Sequence, residues 1–192
     1  MSNLSMGTDD QTLLQTFQNQ FLIGLPSLRG GYFGDSISII VEHDLQGAFG
    51  LVINQPAEQS LLDLFPDLPI DFNCPLLLGG PVEQNRLFFL HSPAPEQYRS
   101  SIEIAEDISM TASSDVIEAL KAGQAPEQMI ALLGYAGWGA EQLELEIQED
   151  VWLLTPTSSD VVFNEPYATR PQAAAKLLGI DLTLVAPKAG HD

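Results

Sequence analysis

The stretch "SISIIVEHDLQGAFGLVIN", from Ser36 to Asn54, is the part of the sequence that decides the fold. Its first segment, Ser36–Glu42, is rich in β-branched residues, and its last segment, Phe49–Asn54, is mostly apolar, as is typical of strands. The polar "HDLQGA" between them is typical of a turn. We therefore predict a β-hairpin, in which Asn54 returns beside the N-terminal half of the first strand.

Further strands are predicted on both sides of this hairpin, with helices interspersed. The strand segments are 21–26, 75–82, 86–92, 101–105, 128–138, 151–156 and, at the end of the chain, "LTLVAP" at 182–187. The helical segments are 12–19, 60–65, 111–123, 141–150 and 171–179. Segment 141–150 also alternates as a strand would, but its glutamates and glutamines favour a helix. Because hairpins occur and strand and helix do not strictly alternate, we predict an α+β fold with a mixed, mainly antiparallel sheet.

Length and composition are those of one soluble domain. The chain has 192 residues, of which 45% are hydrophobic, and we treat 1–192 as a single domain with residues 1–10 as a flexible tail. The 26 acidic residues outnumber the 7 basic ones, for a net charge of -19. Phosphate binding requires grouped cations, and here they are scattered, so direct binding of nucleic acid or of an anionic membrane is disfavoured.

The cysteine count and the N-terminus both indicate a cytoplasmic protein. Cys74 is the only cysteine, so no intrachain disulfide can form, and its apolar context is typical of a buried thiol rather than of a nucleophile. The polar, acidic N-terminus resembles no signal peptide, and no apolar run reaches the ~20 residues that span a bilayer.

The glycine-rich stretch "GYAGWG", Gly134–Gly139, raises the question of a phosphate-binding loop. Its G-x-x-G-x-G spacing is the reverse of the dinucleotide-binding pattern, and no P-loop lysine follows. Glu141, Glu144 and Glu146 follow instead, where a phosphate would be repelled. We therefore interpret the stretch as a tight structural junction between a strand and a helix.

Histidines and acids near strand ends are the remaining candidates for chemistry. Glu42, His43 and Asp44 are adjacent, but alternate strand residues face opposite ways, so this pattern favours a strand end with Asp44 shaping the turn over a metal or acid–base site. His91 ends a strand, where a structural role is more common than a catalytic one. With three histidines and no metal-ligand spacing, we predict no metal site, no cofactor and no catalytic constellation.

These motifs, taken in order, resemble one bacterial family. The set is "EHDLQGAFGLVIN", "GGPV" followed by Arg86 and "FFLH", "GYAGWGAEQLE", Trp152-Leu153 and a terminal "GH". In this order they are similar to the YqgE/AlgH family, and the resemblance covers roughly Phe21 to His191. The positions that match are Glu42, His43, Asp44, Gly47, Gly50, Asn54, Gly79, Gly80, Pro81, Arg86, His91, Gly134, Tyr135, Gly137, Trp138, Gly139 and Trp152. One departure is Leu87, where a glycine is common in the family.

The resemblance implies a branched sheet that forms a pseudo-barrel with flanking helices, in a cytosolic bacterial protein. It supplies no agreed catalytic set, and the AlgH name carries a proposed role in transcriptional control of alginate production. Two functions remain open. The first is a non-enzymatic binding or regulatory protein that acts through a protein partner, without direct DNA contact. The second is a small-molecule or nucleotide binder, or an enzyme, with a pocket at strand ends. The residues expected to line that pocket are His43, Asn54, Gly80, Arg86, His91 and Tyr135.

Overall fold

The computed structural model describes residues 16–25, 31–69, 73–94 and 98–185. Within these ranges the strands are β1 (Gln20–Gly24), β2 (Ile37–Asp44), β3 (Gly47–Val52), β4 (Leu76–Leu78), β5 (Val82–His91), β6 (Ile102–Ala105), β7 (Ile108–Thr111), β8 (Met129–Gly139) and β9 (Trp152–Pro156). The α-helices are α1 (Leu61–Leu64), α2 (Asp115–Lys121), α3 (Gln142–Gln148), α4 (Ser159–Phe163) and α5 (Arg170–Lys176). Short 3-10 helices follow at Tyr167–Thr169 and Leu182–Leu184.

The hairpin predicted from the sequence is formed by β2 and β3, which pair antiparallel from Ser38↔Val52 to Asp44↔Gly47. Asp44 shapes the turn because its Oδ1 accepts the backbone N–H of Gln46 at 2.7 Å. At the other end the Asn54 Oδ1 accepts the backbone N–H of Ile37 at 3.1 Å. The expected position of Asn54, beside the start of the first strand, is therefore confirmed.

The sheet is mixed, mainly antiparallel and branched, as the fold prediction states. Its strand order is β6-β7-β5-β8-β3-β2-β1-β9, and β4 joins β8 from off this path. The first half of β8 pairs with β5 and, in parallel, with β4, whereas its second half pairs with β3. Strand β8 is thus the branch point on which both parts of the sheet depend.

Glycines make this branch point possible. A Cβ atom on Gly80 would overlap the backbone carbonyl of Tyr135, and one on Gly134 would meet the carbonyl oxygens of Gly80 and Val82. Gly134 also has a φ of 72°, which favours glycine. The "GGPV" and "GYAGWG" motifs therefore bring two backbones into contact. The second motif is not a loop: it lies inside β8, and α3 begins three residues after the strand ends.

The sheet curls around its main core without closing into a barrel. The strands at its two ends, β6 and β9, do not pair with each other in the described part of the chain. Residues from both ends of the sheet nevertheless share one core. Ile104 of β6 and Ile108 of β7 pack in the same cluster as Phe21 of β1 and Val162 of α4. A second cluster lies between the other face of β4, β5 and β8 and helices α1 and α2. A third lies beneath α3 and contains both tryptophans.

Three parts of the prediction differ from the structure. The terminal strand at 182–187 is wrong: Leu182–Leu184 is a 3-10 helix, and residues 186 and 187 lie outside the described ranges. Local hydrogen bonds decide this, because the Asp181 carboxylate accepts the Thr183 N–H and the Gln172 side chain accepts the Leu182 N–H. Strand β7 and helix α4 were not predicted. The helix predicted at 12–19 is absent from its described half, since residues 16–19 contain no helix and end in a turn; residues 12–15 and the tail at 1–10 lie outside the described residues.

Candidate functional site

An open groove at the centre of the sheet brings together two of the predicted site residues, Arg86 and Tyr135. We call it the aromatic groove, and its lining residues are Glu42, Phe49, Arg86, Phe88, Ser100, Ile102, Met110, Ala112 and Tyr135.

The aromatic groove measures 440 Å³, which lies within the usual size range of ligand-binding clefts. Its floor is formed by three rings that pack against one another. The Tyr135 ring lies 5.0 Å from that of Phe49 and 6.1 Å from that of Phe88, between centroids. Tyr135 is half-buried, and its hydroxyl forms no hydrogen bond with any residue that the structure describes. The groove therefore offers an apolar floor together with an unsatisfied phenol.

Arg86 supplies the cation of the aromatic groove. Its guanidinium carbon lies 5.1 Å from the centre of the Phe88 ring, in cation–π geometry. Its Nη1 donates to the Glu83 carboxylate at 3.0 Å, and both side chains are about half exposed, at 55% and 50%. Exposed ion pairs of this kind contribute little to stability, so Arg86 can exchange Glu83 for a carboxylate of a ligand at little cost.

Two further depressions adjoin the aromatic groove. One, of 380 Å³, shares Arg86 and Ala112 with it and extends along α2 as far as Lys121; we call it the helix groove. The other, of 410 Å³, shares Ser100 with it and contains His91; we call it the His91 cavity. We call the three depressions together the trough. The helix groove and the His91 cavity lie on the face of β5 that carries Leu87, Phe89 and His91, and the aromatic groove lies on the opposite face, which carries Phe88.

His91 is buried beside its cavity, and its neighbours determine which ring nitrogen carries the proton. The ring Nδ1 lies 2.8 Å from the carbonyl oxygen of Ser92, which can only accept, so Nδ1 carries the hydrogen. The Nε2 atom must then accept from the Thr111 hydroxyl, at 2.9 Å. Burial lowers the pKa of His91, and the hydrogen bond to Ser92 opposes this in part. The neutral imidazole is therefore favoured.

Thr111 continues this chain of hydrogen bonds to the surface. Its hydroxyl oxygen lies 2.6 Å from that of Ser101. With His91 neutral, the single Thr111 hydroxyl proton points to His91, so Ser101 is the donor in this contact and gives up its alternative acceptor, the carbonyl oxygen of Tyr98 at 3.1 Å. A directed chain therefore runs from exposed Ser101 through buried Thr111 to His91.

His43 lies on the other side of the sheet, away from the trough, and is held at both nitrogens. Its Nδ1 accepts the backbone N–H of Phe17 at 3.0 Å, and its Nε2 lies 2.9 Å from the Glu144 carboxylate. The Phe17 ring stacks on it with centroids 4.9 Å apart. Glu42 and Asp44, on either side of it in β2, are exposed, as the alternation of strand residues predicts.

The acidic helix α3 fixes the two tryptophans of the motifs in the same way. A single oxygen of Glu146, Oε2, accepts the indole N–H of Trp138 at 2.9 Å and that of Trp152 at 2.7 Å. The other oxygen accepts from Gln142 at 2.9 Å. We call this set, with His43 and Glu144, the α3 anchor. Its carboxylates bind the protein's own buried donors.

The six predicted site residues therefore do not converge on one pocket. Arg86 and Tyr135 share the aromatic groove, and His91 lines the adjoining cavity. Asn54 instead bridges backbone groups of Asp35 and Ile37, and Gly80 packs against the Tyr135 backbone. Sequence reasoning missed Ser101 and Thr111, because no motif joins them to His91 and only the pairing of β5 with β7 brings the three together.

Other classes of site have little support in the described ranges. They contain no group of three or more histidine, cysteine or acidic residues placed to hold a metal ion. No helix in the described part of the chain is long and apolar enough to cross a membrane. Burial raises the pKa of the Cys74 thiol to about 12, so this thiol stays protonated and unreactive, as its apolar context in the sequence predicts.

Comparison with known proteins gives the family. A family model described as AlgH-like matches residues 21–183. The chain belongs to the AlgH-like family. A UPF0301 protein of Thioalkalivibrio sulfidiphilus is 43% identical to it over 185 residues, which is 94% of this chain and 99% of that protein. A UPF0301 protein of Photorhabdus laumondii is 42% identical over 184 residues, covering 91% and 98% of the two chains.

Two solved structures have the same fold. The solution structure of the AlgH protein from Pseudomonas aeruginosa matches with a TM-score of 0.73 at 37% identity, over 95% of this chain and 99% of that one. A crystal structure of a protein from Corynebacterium diphtheriae matches with a TM-score of 0.72 at 19% identity, over 88% and 91% of the two chains, which supports the fold alone. The resemblance carried by the glycine, tryptophan and histidine motifs is thus confirmed.

Proposed function

We propose that this AlgH-like protein is a binding protein that recognises an extended segment of a partner protein in the aromatic groove. The observation that carries the proposal is the convergence of Arg86, Phe88 and Tyr135 on one open depression. Arginine and tyrosine are among the residues that most often dominate the energy of protein interfaces. Here they lie over a packed aromatic floor rather than scattered over the surface.

The borders that the three depressions share favour an extended chain over a compact ligand. The aromatic groove meets the helix groove at Arg86 and Ala112 and the His91 cavity at Ser100, where a chain can pass from one face of β5 to the other. A partner segment lying along it would place an apolar or aromatic side chain on the Phe49–Tyr135 floor. It would place a carboxylate on Arg86, in the position that Glu83 now occupies.

Charge supports a protein partner rather than DNA. The whole chain has a net charge of -19, and Arg86 and Lys121, two of its 7 basic residues, line the helix groove. Each lies beside a glutamate, so the trough is not a cationic surface of the kind that neutralises a run of phosphates. A role in transcription would therefore be exerted through the partner. Binding to duplex DNA that persists at physiological salt in a mobility-shift assay would contradict this.

The proposal is tested by photo-crosslinking inside cells with a reactive residue at Ala112, which is exposed and lines both grooves. We expect one or more defined crosslinked partners that disappear when Arg86→Glu is added. The matched control is Lys176→Glu, which makes the same change of charge on α5, outside the trough. Crosslinks that survive Arg86→Glu, or that are lost equally in the control, would overturn the proposal.

One observation favours a second candidate, a small aromatic acid or nucleotide. The Tyr135 hydroxyl has no partner among the described residues, and a ring stacked on Phe49 and Phe88 would meet it and Arg86 together. Thermal-shift screening separates the two candidates. A compound that raises the melting temperature of the wild type, but not that of Arg86→Glu, would favour the small ligand.

A further inference from the structure

We propose that the His91 cavity is an acyl-transfer site in which Ser101 is the nucleophile and His91, acting through Thr111, accepts its proton. The cavity adjoins the aromatic groove, but the inference does not depend on what the groove binds. It rests on the directed chain of hydrogen bonds that ends at an exposed serine beside a cavity of 410 Å³.

The direction of the chain follows from one carbonyl group. Because Ser92 O can only accept, His91 Nδ1 carries a hydrogen and Nε2 presents a lone pair. Thr111 must donate to that lone pair and Ser101 must donate to Thr111. The Ser101 hydroxyl proton is thus directed inward, away from the cavity, and its lone pairs are free to face a substrate. A base that is itself oriented by a third group is the arrangement that activates serine nucleophiles, and here the base, oriented by Ser92, reaches the serine through one intervening hydroxyl.

Both protonation states of His91 leave the chain fully hydrogen-bonded. Once Ser101 has given up its proton, Nε2 of His91 donates to Thr111 and Thr111 donates to Ser101 Oγ, which no longer carries a hydrogen. The imidazole and the Thr111 hydroxyl therefore each have a partner before and after the transfer. A relay of this kind moves a proton over two hydroxyl groups without leaving a buried polar group unpaired.

The reaction that this supports is hydrolysis of an activated ester. Ser101 Oγ forms a bond to the acyl carbon as the bond to the leaving oxygen breaks, and the serine proton passes by way of Thr111 to His91 Nε2. Cavity water protonates the leaving alkoxide, and the resulting hydroxide attacks the acyl-serine. The proton stored on His91 then returns through Thr111 to Ser101. The sum is ester plus water giving carboxylic acid plus alcohol, with every atom and proton accounted for.

The cavity lining indicates the charge of the substrate. Glu103 and Glu106 line it together with Ser100, Ser101 and Ser109, and its described lining contains no lysine or arginine. An ester that carries a positive charge near its acyl group would be attracted, and an anionic one repelled. We therefore expect cationic acyl esters to be the preferred class.

The test is a burst titration of the whole protein with p-nitrophenyl 4-guanidinobenzoate, a cationic ester that releases a coloured product on acylation. We expect one equivalent of acyl group per chain, located on Ser101 by peptide mass mapping, and none in Ser101→Ala. Thr111→Val, which keeps the side-chain shape but removes the relay hydroxyl, should slow acylation by about 100-fold or more. Thr111→Ser, which restores that hydroxyl, should recover most of the rate.

Three results would overturn the proposal: no acylation of Ser101 in the wild type, acylation at another residue only, or equal rates in Thr111→Val and the wild type. Circular dichroism establishes that each variant is folded. If Thr111→Val does not fold, mapping of the acyl group in the wild type still decides the matter, because Ser101 is exposed and its replacement leaves the core unchanged.

Discussion

His43 and His91 are both buried near the end of a β-strand, and both belong to the motifs that mark the family, but their hydrogen bonds are opposite. His43 accepts a backbone N–H at Nδ1 and contacts Glu144 through Nε2, so it ties the β2–β3 hairpin to α3. His91 donates from Nδ1 to Ser92 and accepts at Nε2 from Thr111, which leads to an exposed serine. The comparison shows that membership of a motif does not predict chemistry, whereas the identity of each hydrogen-bond partner does.

The same contrast holds for the regions around the two histidines. In the α3 anchor, the carboxylates of Glu144 and Glu146 bind buried donors of the protein itself. In the trough, Arg86 and Tyr135 face solvent across open grooves, and their contacts can be exchanged for those of a ligand. We therefore expect substitutions in the anchor to change stability and substitutions in the trough to change binding.

The largest expected effect comes from breaking the anchor with Glu146→Leu. This change leaves two buried indole N–H groups, those of Trp138 and Trp152, without an acceptor. Because each unsatisfied buried donor costs about 1–3 kcal/mol, the free energy of unfolding should fall by about 2–6 kcal/mol in urea denaturation. The matched change in the trough is Glu103→Leu, at an exposed position of β6. Its free energy of unfolding should stay within about 0.5 kcal/mol of the wild-type value. Equal losses in both variants would remove the distinction between the two regions.

An intermediate effect is expected at the branch point of β8, which connects the two regions. Gly134 and Gly123 have nearly the same positive φ, 72° and 75°, but a Cβ on Gly134 meets backbone carbonyls, whereas one on Gly123 meets nothing within 4 Å. Gly123→Ala should cost about 1–2 kcal/mol for backbone conformation alone. Gly134→Ala should cost about 1–3 kcal/mol more, from the overlap. Thermal or urea denaturation of the two variants measures this difference. Similar losses of stability in both would show that the backbone contacts of Gly134 with Gly80 and Val82 adjust easily to an added Cβ.

The smallest expected effect is a pH dependence that belongs to His91. Burial lowers its pKa in the folded protein from the ordinary value of 6.5. Below that value the unfolded chain binds a proton that the folded protein does not, so stability is fully present above the unfolded pKa and is lost as the pH falls. The loss between about pH 7 and about pH 5 should be smaller in His91→Gln, whose amide can make both hydrogen bonds without titrating. Identical pH profiles would mean that His91 ionises freely in the folded protein.

Much of the fold could be predicted because its signals are local. The hairpin of β2 and β3 and the helices predicted within 60–65 and 111–123 all follow from residues close to one another in the chain. Segment 141–150 was resolved as a helix by its glutamates, which the structure confirms as α3. The strand predicted at the end of the chain is wrong, because Asp181 and Gln172 hold that backbone in a turn.

The candidate site could be predicted only in part, because its contacts are distant in sequence. Arg86 and Tyr135 were expected in a pocket, and the structure places both in the aromatic groove. Ser101 and Thr111 had no signal, since strand β7 was not predicted and its register with β5 was therefore unknown. Glu146 was interpreted only as a charge that would repel phosphate, because nothing local shows that two indoles reach the same oxygen.

The most direct test of the contrast between the two histidines is their tautomeric state, measured by long-range proton–nitrogen correlation of the imidazole rings near neutral pH. Spectra of the His43→Gln and His91→Gln variants, each of which lacks one imidazole ring, assign the signals to the two histidines. The hydrogen-bond partners predict that His43 carries its hydrogen on Nε2 and that His91 carries its hydrogen on Nδ1. If His91 instead carries its hydrogen on Nε2, the chain through Thr111 runs outward, and both the contrast and the proposed role of Ser101 are contradicted.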